Sequence, residues 1–286
     1  MLLLTVIVTI MKGRCLMRIE HDFHVHTILS LCADRNAATL DAYLGLAKKQ
    51  GIKKLGFADH MWDAAIPGAS EGFYKQQDFP HVAQLRQAIR DNDGKYGIKL
   101  YFGCETEYDP LRKDIALTEE IAQEFDFILV PNSHTHMMMP KAYYEPKELH
   151  ARFMLDAFRD IVSSPLAKYV TSIAHPFAAV CCPYDNRVLY DLISPAQYRE
   201  VFCMAKEADI AIEINIYNYP MGHLAEIMDH PSLRMFDLAK ECGCKFTFGS
   251  DAHSATPGNV HDRWAAAYVL AQLLNLKEDD LAMIVR

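Results

Sequence analysis

The sequence has no excess of basic residues: 37 aspartates and glutamates stand against 29 lysines and arginines, for a formal net charge of −8. A protein that binds long nucleic acids needs a basic face, so the composition argues against such a partner. A small anionic substrate remains compatible with this charge, because bound divalent cations would reverse its sign locally.

The sequence also lacks an apolar run long enough to cross a membrane. Residues 1–11 are apolar, but a transmembrane helix needs about 20 such residues. A secretory signal would carry its basic residues before the apolar run, whereas Lys12 and Arg14 follow it here. We therefore expect no stable membrane association and an N-terminal extension over residues 1–16, either disordered or upstream of the true start. A membrane anchor is the alternative.

Neither a disulfide framework nor an interdomain linker is evident. The eight cysteines have no regular spacing in a chain of 286 residues, which is typical of reduced thiols in the cytoplasm. No segment rich in Ser, Gly and Pro divides the chain, and a hydrophobic fraction of 51% is ample for a sizeable core. The sequence thus predicts a cytoplasmic protein with a single domain over residues 17–286.

Apolar segments that favour strands alternate with segments of helical periodicity along the chain. Strands are predicted at residues 21–27, 54–59, 99–105, 125–130, 169–174, 210–215 and 245–249. Helices are predicted between and after them, at residues 39–50, 79–92, 114–124 and 147–163, after Ser194, at 231–241 and at 260–286. This alternation predicts a parallel sheet, which right-handed crossovers can close into a barrel with its functional groups at the carboxyl ends of the strands.

Residue types that bind metals stand at the ends of these strands. In the first strand, alternation places Asp22, His24 and His26 on one face. Burial of these side chains would be costly unless a ligand occupies them, although a structural histidine pair is the alternative for this motif alone. The same residue types recur later as His60, Glu105, His134, His175, Asp251 and His253. Imidazole with carboxylate suits zinc, manganese or iron better than magnesium or calcium, and the number of ligands predicts two or three divalent ions.

The motifs also occur in a recognisable order. After Asp22-Phe23-His24-Val25-His26-Thr27 come Ala58-Asp59-His60, Gly103-Cys104-Glu105, Asn132-Ser133-His134, Ala174-His175-Pro176 and Gly249-Ser250-Asp251-Ala252-His253. Over residues 17–255 they resemble the PHP family, the polymerase and histidinol phosphatase superfamily of metal-dependent phosphoesterases. The resemblance implies an α/β fold, a distorted seven-stranded (β/α) barrel in a single domain.

The resemblance also implies how the ligands are divided between the first two ions. The first ion would have four ligands: His24, His26, Glu105 and Asp251. Glu105 would bridge to a second ion, held also by His134 and His175. Glu105 is preferred to Glu107 because it matches the family's Gly-x-Glu pattern.

A third ion would be held by His60 and His253. The family often adds a histidine or an acid from the loop after the first strand, but here that position is Cys32, with Asp34 close behind it. A cysteine thiolate is a sound metal ligand. A packed thiol is the alternative for Cys32, and Asp34 or water would then complete the site.

The expected chemistry is hydrolysis at phosphorus. Metal coordination lowers the pKa of water to about 7, so a hydroxide bridging two ions could attack a phosphate whose charge the same ions neutralise. Glu105 and Asp251 would hold these ions. The third ion, or one of His60 and His253, would stabilise the leaving oxygen, and Asp22 would orient a ligand histidine.

Phosphate needs further cationic donors, for which arginine is well suited. Arg35 and Arg187 lie in the loops after the first and fifth predicted strands and are therefore the candidates. A solvated surface arginine is the alternative for each of them.

We expect a metal-dependent phosphoesterase that acts on a small phosphate monoester, with histidinol phosphate the most specific candidate. A phosphodiesterase or nuclease that cleaves short oligonucleotides is the alternative enzyme, and a non-catalytic metal-binding module is the alternative outside enzymes. An amidohydrolase-like enzyme is disfavoured, because no lysine stands at a strand end to form a bridging carbamate.

Overall fold

The computed structural model describes residue 17, residues 19–215 and residues 227–284. The predicted extension, residues 1–16, lies outside these ranges, so its character and the boundary at residue 17 stay predictions. Within the described ranges, no helix combines the length and the apolar character needed to traverse a membrane.

Parallel strands form the centre of the molecule, with one small antiparallel hairpin beside them. The strands are β1 (His21–Val25), β2 (Lys54–Met61), β3 (Lys99–Thr106), β4 (Tyr108–Asp109), β5 (Asp114–Ile115), β6 (Phe127–Pro131), β7 (Ser172–Ala174), β8 (Ala211–Asn215) and β9 (Phe246–Gly249). Seven of them form a sheet in the order β1-β2-β3-β6-β7-β8-β9, and β4 pairs with β5. Backbone hydrogen bonds from Asp251 N to His24 O (2.7 Å) and from His26 N to Ala252 O (3.0 Å) join the segment after β9 to β1. The sheet is therefore nearly closed into a barrel.

Helices cover the outside of this sheet. They are α1 (Leu40–Gln50), α2 (Phe79–Val82), α3 (Leu85–Asn92), α4 (Glu119–Ala122), α5 (Thr135–Met138), α6 (Lys147–Ser163), α7 (Asn186–Leu192), α8 (Pro195–Glu207), α9 (Pro231–Glu241) and α10 (Pro257–Leu273). Short 3₁₀ turns occur at Tyr74–Gln76, Lys95–Gly97, Lys141–Tyr143, Ala167–Tyr169 and Glu278–Asp280.

Several helix ends follow from local sequence signals. The Thr39 hydroxyl accepts a hydrogen bond from Ala42 N at the start of α1, and Gly51 ends that helix with a φ of 73°, the left-handed conformation that glycine adopts most easily. Ser194 and Gln197 form a capping box at the start of α8.

The segment predicted as a helix at 114–124 contains instead strand β5 and the single turn α4. Ile115 is buried and Ala116 N donates to Glu107 O (2.8 Å), which draws this segment into an extended path. Thr118 then caps α4 by accepting from Ile121 N. Tertiary contacts of β4 and β5 thus override the local helical preference of the first half of this segment.

Packing inside the barrel determines the course of β1. Phe23 belongs to an interior cluster with Phe127, whereas Val25 packs in the outer core, and the pairing register of β1 with β2 shifts between Asp22 and Val25. Asp22 reaches Trp264 of α10 (2.9 Å). The predicted common face of Asp22, His24 and His26 is therefore wrong for Asp22, because this irregularity breaks the simple alternation.

Two glycines make room for the Phe127 ring in the barrel interior. A Cβ atom on Gly103 would lie 2.3 Å from this ring, and a Cβ atom on Gly56 would lie 2.7 Å from it. The ring fills the space below the carboxyl ends of the strands, so the barrel is a packed core there and not a channel.

We predict that Gly103→Ala destabilises the protein by about 1–3 kcal/mol, the usual cost of inserting a methyl group into a filled core. Gly45→Ala in α1 is the matched control, because nothing lies within 4 Å of its Cβ position; it should be neutral or stabilise by up to ~1 kcal/mol. Urea unfolding of both variants measures the difference. Equal stability of the two variants would contradict the close packing around Phe127.

Candidate metal centre at the carboxyl end of the barrel

The strand ends bring the histidine and carboxylate residues predicted from the sequence into one cluster, which is buried except for the partly exposed Asp251 and His253. Its members are His24, His26, His60, Glu105, His134, His175, Asp251 and His253. They come from β1, β2 and β3 and from the segments that follow β1, β6, β7 and β9. Residues far apart in the chain thus meet at the end of the barrel where functional groups are expected.

Glu105 occupies the middle of this cluster. Its Oε1 lies 2.9 Å from His175 Nε2, and its Oε2 lies 3.0 Å from His60 Nδ1 and 3.5 Å from His24 Nε2. Burial favours the neutral acid, but positive charge on His24 and His134 holds the pKa of Glu105 well below its ordinary value. Glu105 is therefore an ionised carboxylate with imidazoles on several sides.

His24 and His26 face each other through Nε2 atoms 3.1 Å apart. His24 Nδ1 lies 2.7 Å from the carboxylate of Glu213, which can only accept, so this nitrogen carries the proton. His26 Nδ1 lies 3.0 Å from Ser30 Oγ, and that hydroxyl already donates to Asp59 (2.7 Å). Both Nδ1 atoms are therefore donors, and in the neutral rings both Nε2 atoms present lone pairs to the same point.

His134 and His175 are held in the same way. The Ser133 hydroxyl donates to the carbonyl oxygen of His175 (2.9 Å) and accepts from His175 Nδ1 (2.6 Å). His134 Nδ1 donates to Glu107 Oε1 (2.5 Å), and the Tyr74 hydroxyl donates to the same oxygen. Both rings turn Nε2 towards Glu105: His175 Nε2 lies 2.9 Å from Glu105 Oε1, and His134 Nε2 lies 3.7 Å from the same oxygen.

On the opposite side of the cluster, His253 donates Nδ1–H to the carbonyl oxygen of Asp251 (3.0 Å). His60 Nδ1 is buried and has no hydrogen-bond partner of adequate geometry, although a Glu105 oxygen lies 3.0 Å from it. Such a buried, unsatisfied nitrogen is costly unless a further group binds there.

The arrangement fits divalent cations. Three groups of residues have potential ligand atoms within 4.8 Å of one another: His24 with His26 and Asp251, His24 with Glu105 and His175, and His26 with His60 and His253. Burial opposes protonation of His24, but Glu213 and Asp251 raise its pKa well above the ordinary value. Bound metal ions require imidazole and carboxylate atoms with lone pairs directed inward, and an electrostatic field that favours positive charge.

Cys32 lies at the mouth of the cluster, beside His60 and His253. Partial burial opposes ionisation of this thiol, but hydrogen bonds with His253 and His60 lower its pKa to about 6. Cys32 is not part of the three groups of potential ligands found among the described residues, so its ligand role stays a prediction. Asp34 is exposed, and its backbone N donates to His253 O (2.8 Å).

Asp22 contacts the backbone of its own strand and not a ligand ring. Its Oδ1 accepts from His24 N (3.2 Å) and Ser250 N (3.0 Å), and its Oδ2 accepts from the Trp264 indole. Asp22 thereby holds β1 against the segment after β9. The imidazole of His24 is oriented by Glu213.

The sequence analysis missed Glu213. This residue is buried in β8, where its Oε2 accepts from His175 N (2.7 Å) and its Oε1 accepts from His24 Nδ1 (2.7 Å). A Cβ atom on Gly249 would lie 2.0 Å from Glu213 Oε1, so glycine is required there. A lone charged residue within the apolar Ile212-Glu213-Ile214 run was the available signal.

A cavity of about 510 Å³ opens over the cluster. Besides Cys32 and predicted ligands, it is lined by Phe73, Tyr74, His136, Met137, Val180, Cys181 and Arg263. Arg263, which the sequence analysis also missed, donates from Nη1 to Ser250 O (2.6 Å) and Asp251 O (3.0 Å). The two arginines predicted as phosphate donors, Arg35 and Arg187, are not among the described residues that line the cavity. Arg35 is exposed, and Arg187 donates a hydrogen bond to Asp229 O (3.0 Å).

A nearly closed parallel barrel with buried histidines and carboxylates at its strand ends defines a metal-dependent hydrolase. Residues 22–216 match the PHP domain, and the chain belongs to the PHP family. The predicted family is thereby confirmed, and the enzyme class is that of the metal-dependent phosphoester hydrolases.

Comparisons with individual proteins agree with this family. A probable phosphatase from Shewanella halifaxensis is 26% identical over 234 residues, which are 82% of this chain and 77% of the relative. A probable phosphatase from Aeromonas salmonicida is 27% identical over 245 residues, 84% and 80% of the two chains. The histidinol phosphate phosphatase of Lactococcus lactis, solved with zinc, L-histidinol and phosphate, has a TM-score of 0.66 at 19% identity and covers 91% of this chain and 95% of its own. This likeness confirms the predicted barrel fold.

We predict that Glu213→Gln weakens zinc binding about 10–100-fold, the usual effect of losing the partner that orients a ligand histidine. Glutamine keeps the size of the side chain but removes the charge that binds His24 Nδ1. Glu207→Gln, at the exposed end of α8, is the control and should bind zinc as the wild type does. Competition with a chromophoric chelator measures both affinities, and equal affinities would show that Glu213 does not support the centre.

Proposed function

We propose that this chain hydrolyses a small phosphate monoester with two or three divalent transition-metal ions held at the barrel end. The observation that carries the proposal is the position of Glu105, an ionised carboxylate within 3.5 Å of imidazole nitrogens of His24, His60 and His175. A carboxylate in contact with several imidazoles is suited to bridge cations.

The division of ligands is the one that the family resemblance implies, and each proposed ion takes at least two residues from a different one of the three groups of nearby atoms. His24, His26, Asp251 and Glu105 would hold a first ion, Glu105 with His175 and His134 a second, and His60 with His253 a third. The mixed imidazole and carboxylate set favours zinc, manganese or iron. When bound, such ions supply an activated water nucleophile and neutralise phosphate charge.

The residues around the ligands prepare the site before substrate binds. Glu213 fixes the ring of His24, Ser30 with Asp59 fixes His26, and Glu107 fixes His134. Because each Nδ1–H already donates a hydrogen bond, the rings need not reorient when their Nε2 atoms bind metal ions. Such preorganisation is the main contribution that a protein makes to metal-assisted hydrolysis.

The cavity supports a small substrate. Its volume of about 510 Å³ lies within the range of pockets for metabolites and not for long polymers. Phe73, Met137 and Val180 give it an apolar wall, and Arg263 adds a cationic group at its edge. Arg263 is therefore the preferred phosphate donor over Arg35 and Arg187. Histidinol phosphate is the first substrate to test, because the Lactococcus barrel was solved with L-histidinol and phosphate.

A metal-dependent substrate screen tests the proposal. Chelator-treated protein is reconstituted with zinc, manganese or iron and assayed with histidinol phosphate, other phosphate monoesters and dinucleotides. We expect monoester turnover that requires added metal. Preferential turnover of dinucleotides would favour a phosphodiesterase instead, and metal binding without any turnover would favour a non-catalytic module.

We predict that Glu105→Gln lowers monoester turnover on the order of 10²-fold or more without unfolding the protein, because glutamine keeps the shape but removes the charge between the ions. Glu207→Gln is again the control and should keep wild-type turnover. Initial rates with saturating metal and thermal unfolding of the same samples are measured together. Wild-type turnover in Glu105→Gln would place the bridge elsewhere, with Glu107 the next candidate.

Cys32 is proposed to complete the third ion site beside His60 and His253. We predict that Cys32→Ala loses metal from this position only, whereas Cys32→His retains both metal and activity and shifts the preference away from zinc, because imidazole is harder than thiolate. Metal content and turnover of both variants are measured after reconstitution. An active, fully loaded alanine variant beside an inactive histidine variant would identify Cys32 as a packed thiol.

A further inference from the structure

Three cysteines gather outside the barrel, at the end of the sheet opposite the metal centre. Cys203 lies in α8, Cys242 follows the last residue of α9, and Cys244 precedes β9. Cys203 is exposed, Cys242 is partly exposed and Cys244 is buried. None of them contributes to the groups of candidate metal ligands found in the described ranges.

The thiols of Cys203 and Cys242 are neighbours across the packed pair α8 and α9. Cys242 Sγ lies 3.7 Å from the carbonyl oxygen of Arg199. In an α-helix this oxygen accepts from the N–H group four residues later, which belongs to Cys203, so the Cys242 thiol lies beside the Cys203 backbone. The neighbouring Cys203 side chain also contributes to raising the pKa of Cys242. An ion pair between Arg199 and Glu241 (2.8 Å) holds the two helices together at the same place.

Cys244 has a different environment. Its Sγ lies 3.2 Å from Phe202 O, and its side chain is part of the core. Burial raises the pKa of this thiol to about 12, so it stays protonated and shielded from solvent. Of the three cysteines, the pair open to a solvent-borne oxidant is Cys203 and Cys242.

We propose that Cys203 and Cys242 form a dithiol that a peroxide converts into an intramolecular disulfide. The Cys203 thiolate attacks one peroxide oxygen, the O–O bond breaks, and with hydrogen peroxide one water leaves after protonation. The sulfur of Cys242 then attacks the resulting sulfenic acid, the S–O bond breaks, and the displaced hydroxide takes the thiol proton as a second water. Both sulfurs are oxidised by one electron each, and the peroxide is reduced to two molecules of water.

The environments of the two thiols indicate that Cys203 reacts with the peroxide first and Cys242 second. Burial and the adjacent Cys203 raise the pKa of Cys242 to about 11, so its thiol is protonated at neutral pH. Cys203 is the more exposed of the two and meets the oxidant first. The bond joins the helices that flank β8 and β9, and it closes a chain loop over residues 203–242, which restricts the unfolded state.

Peptide mapping of the full-length, metal-loaded protein tests the inference. Reduced protein is treated with stoichiometric hydrogen peroxide, remaining thiols are alkylated, and trypsin is applied without reductant. Cleavage after Arg199, Lys206, Lys240 and Lys245 isolates Cys203 in residues 200–206 and Cys242 with Cys244 in residues 241–245. We expect these two peptides to be joined, and the product to lose two hydrogen atoms in mass and to separate on reduction.

Single variants identify the sulfurs. Cys203→Ser and Cys242→Ser should abolish the joined product, whereas Cys244→Ala should retain it, and fragmentation of the wild-type product between Cys242 and Gly243 gives the same assignment if Cys244→Ala fails to fold. Peroxide should also raise the urea midpoint of the wild type but not of Cys203→Ser. Absence of the joined peptides in oxidised wild-type protein, or a bond mapped to Cys244, would overturn the proposal.

Discussion

Glu105 lies where imidazoles from several strands meet, and most of those rings turn a lone pair towards it or towards Asp251. His24 and His26 even face each other through Nε2 atoms 3.1 Å apart. When the rings are neutral, the atoms that face inward are mainly acceptors, and such a buried set is stable when positive charge lies among its members, since an unpaired buried acceptor is costly. The remaining architecture of this end of the barrel serves to keep these atoms together.

Two kinds of support maintain this arrangement. With the exception of His60, each ring donates Nδ1–H to a fixed acceptor, of which Glu213 and Glu107 are the charged examples. Within the barrel, Gly249 leaves space for Glu213, and Gly103 leaves space for the Phe127 ring below the cluster. The cavity lies over the cluster, on the side away from the Phe127 ring, and five of the predicted histidine and carboxylate ligands line it.

Much of the fold could be predicted from the sequence because its signals are local. The caps at Thr39 and Ser194 and the helix at residues 147–163 depend on neighbouring residues only. The segment around Ile115 could not be predicted in this way, because its extended path depends on burial beside β4, a contact that the helical periodicity of the segment does not contain. The free energy gained by burying Ile115 beside β4 outweighs the weak helical preference of this segment.

For the site, the sequence by itself determined which residue types reach the strand ends and in which order, because strand position and residue chemistry are local properties. Only the tertiary structure decided the orientation of the rings: the partner of His24 Nδ1 is Glu213, 189 residues away. Likewise Asp22 turned from the predicted ligand face to Trp264, and Arg263 reached the cavity from a helix near the end of the chain. These hydrogen bonds form only when the barrel closes and brings distant segments together. No pattern within a single segment predicts which residues will be partners.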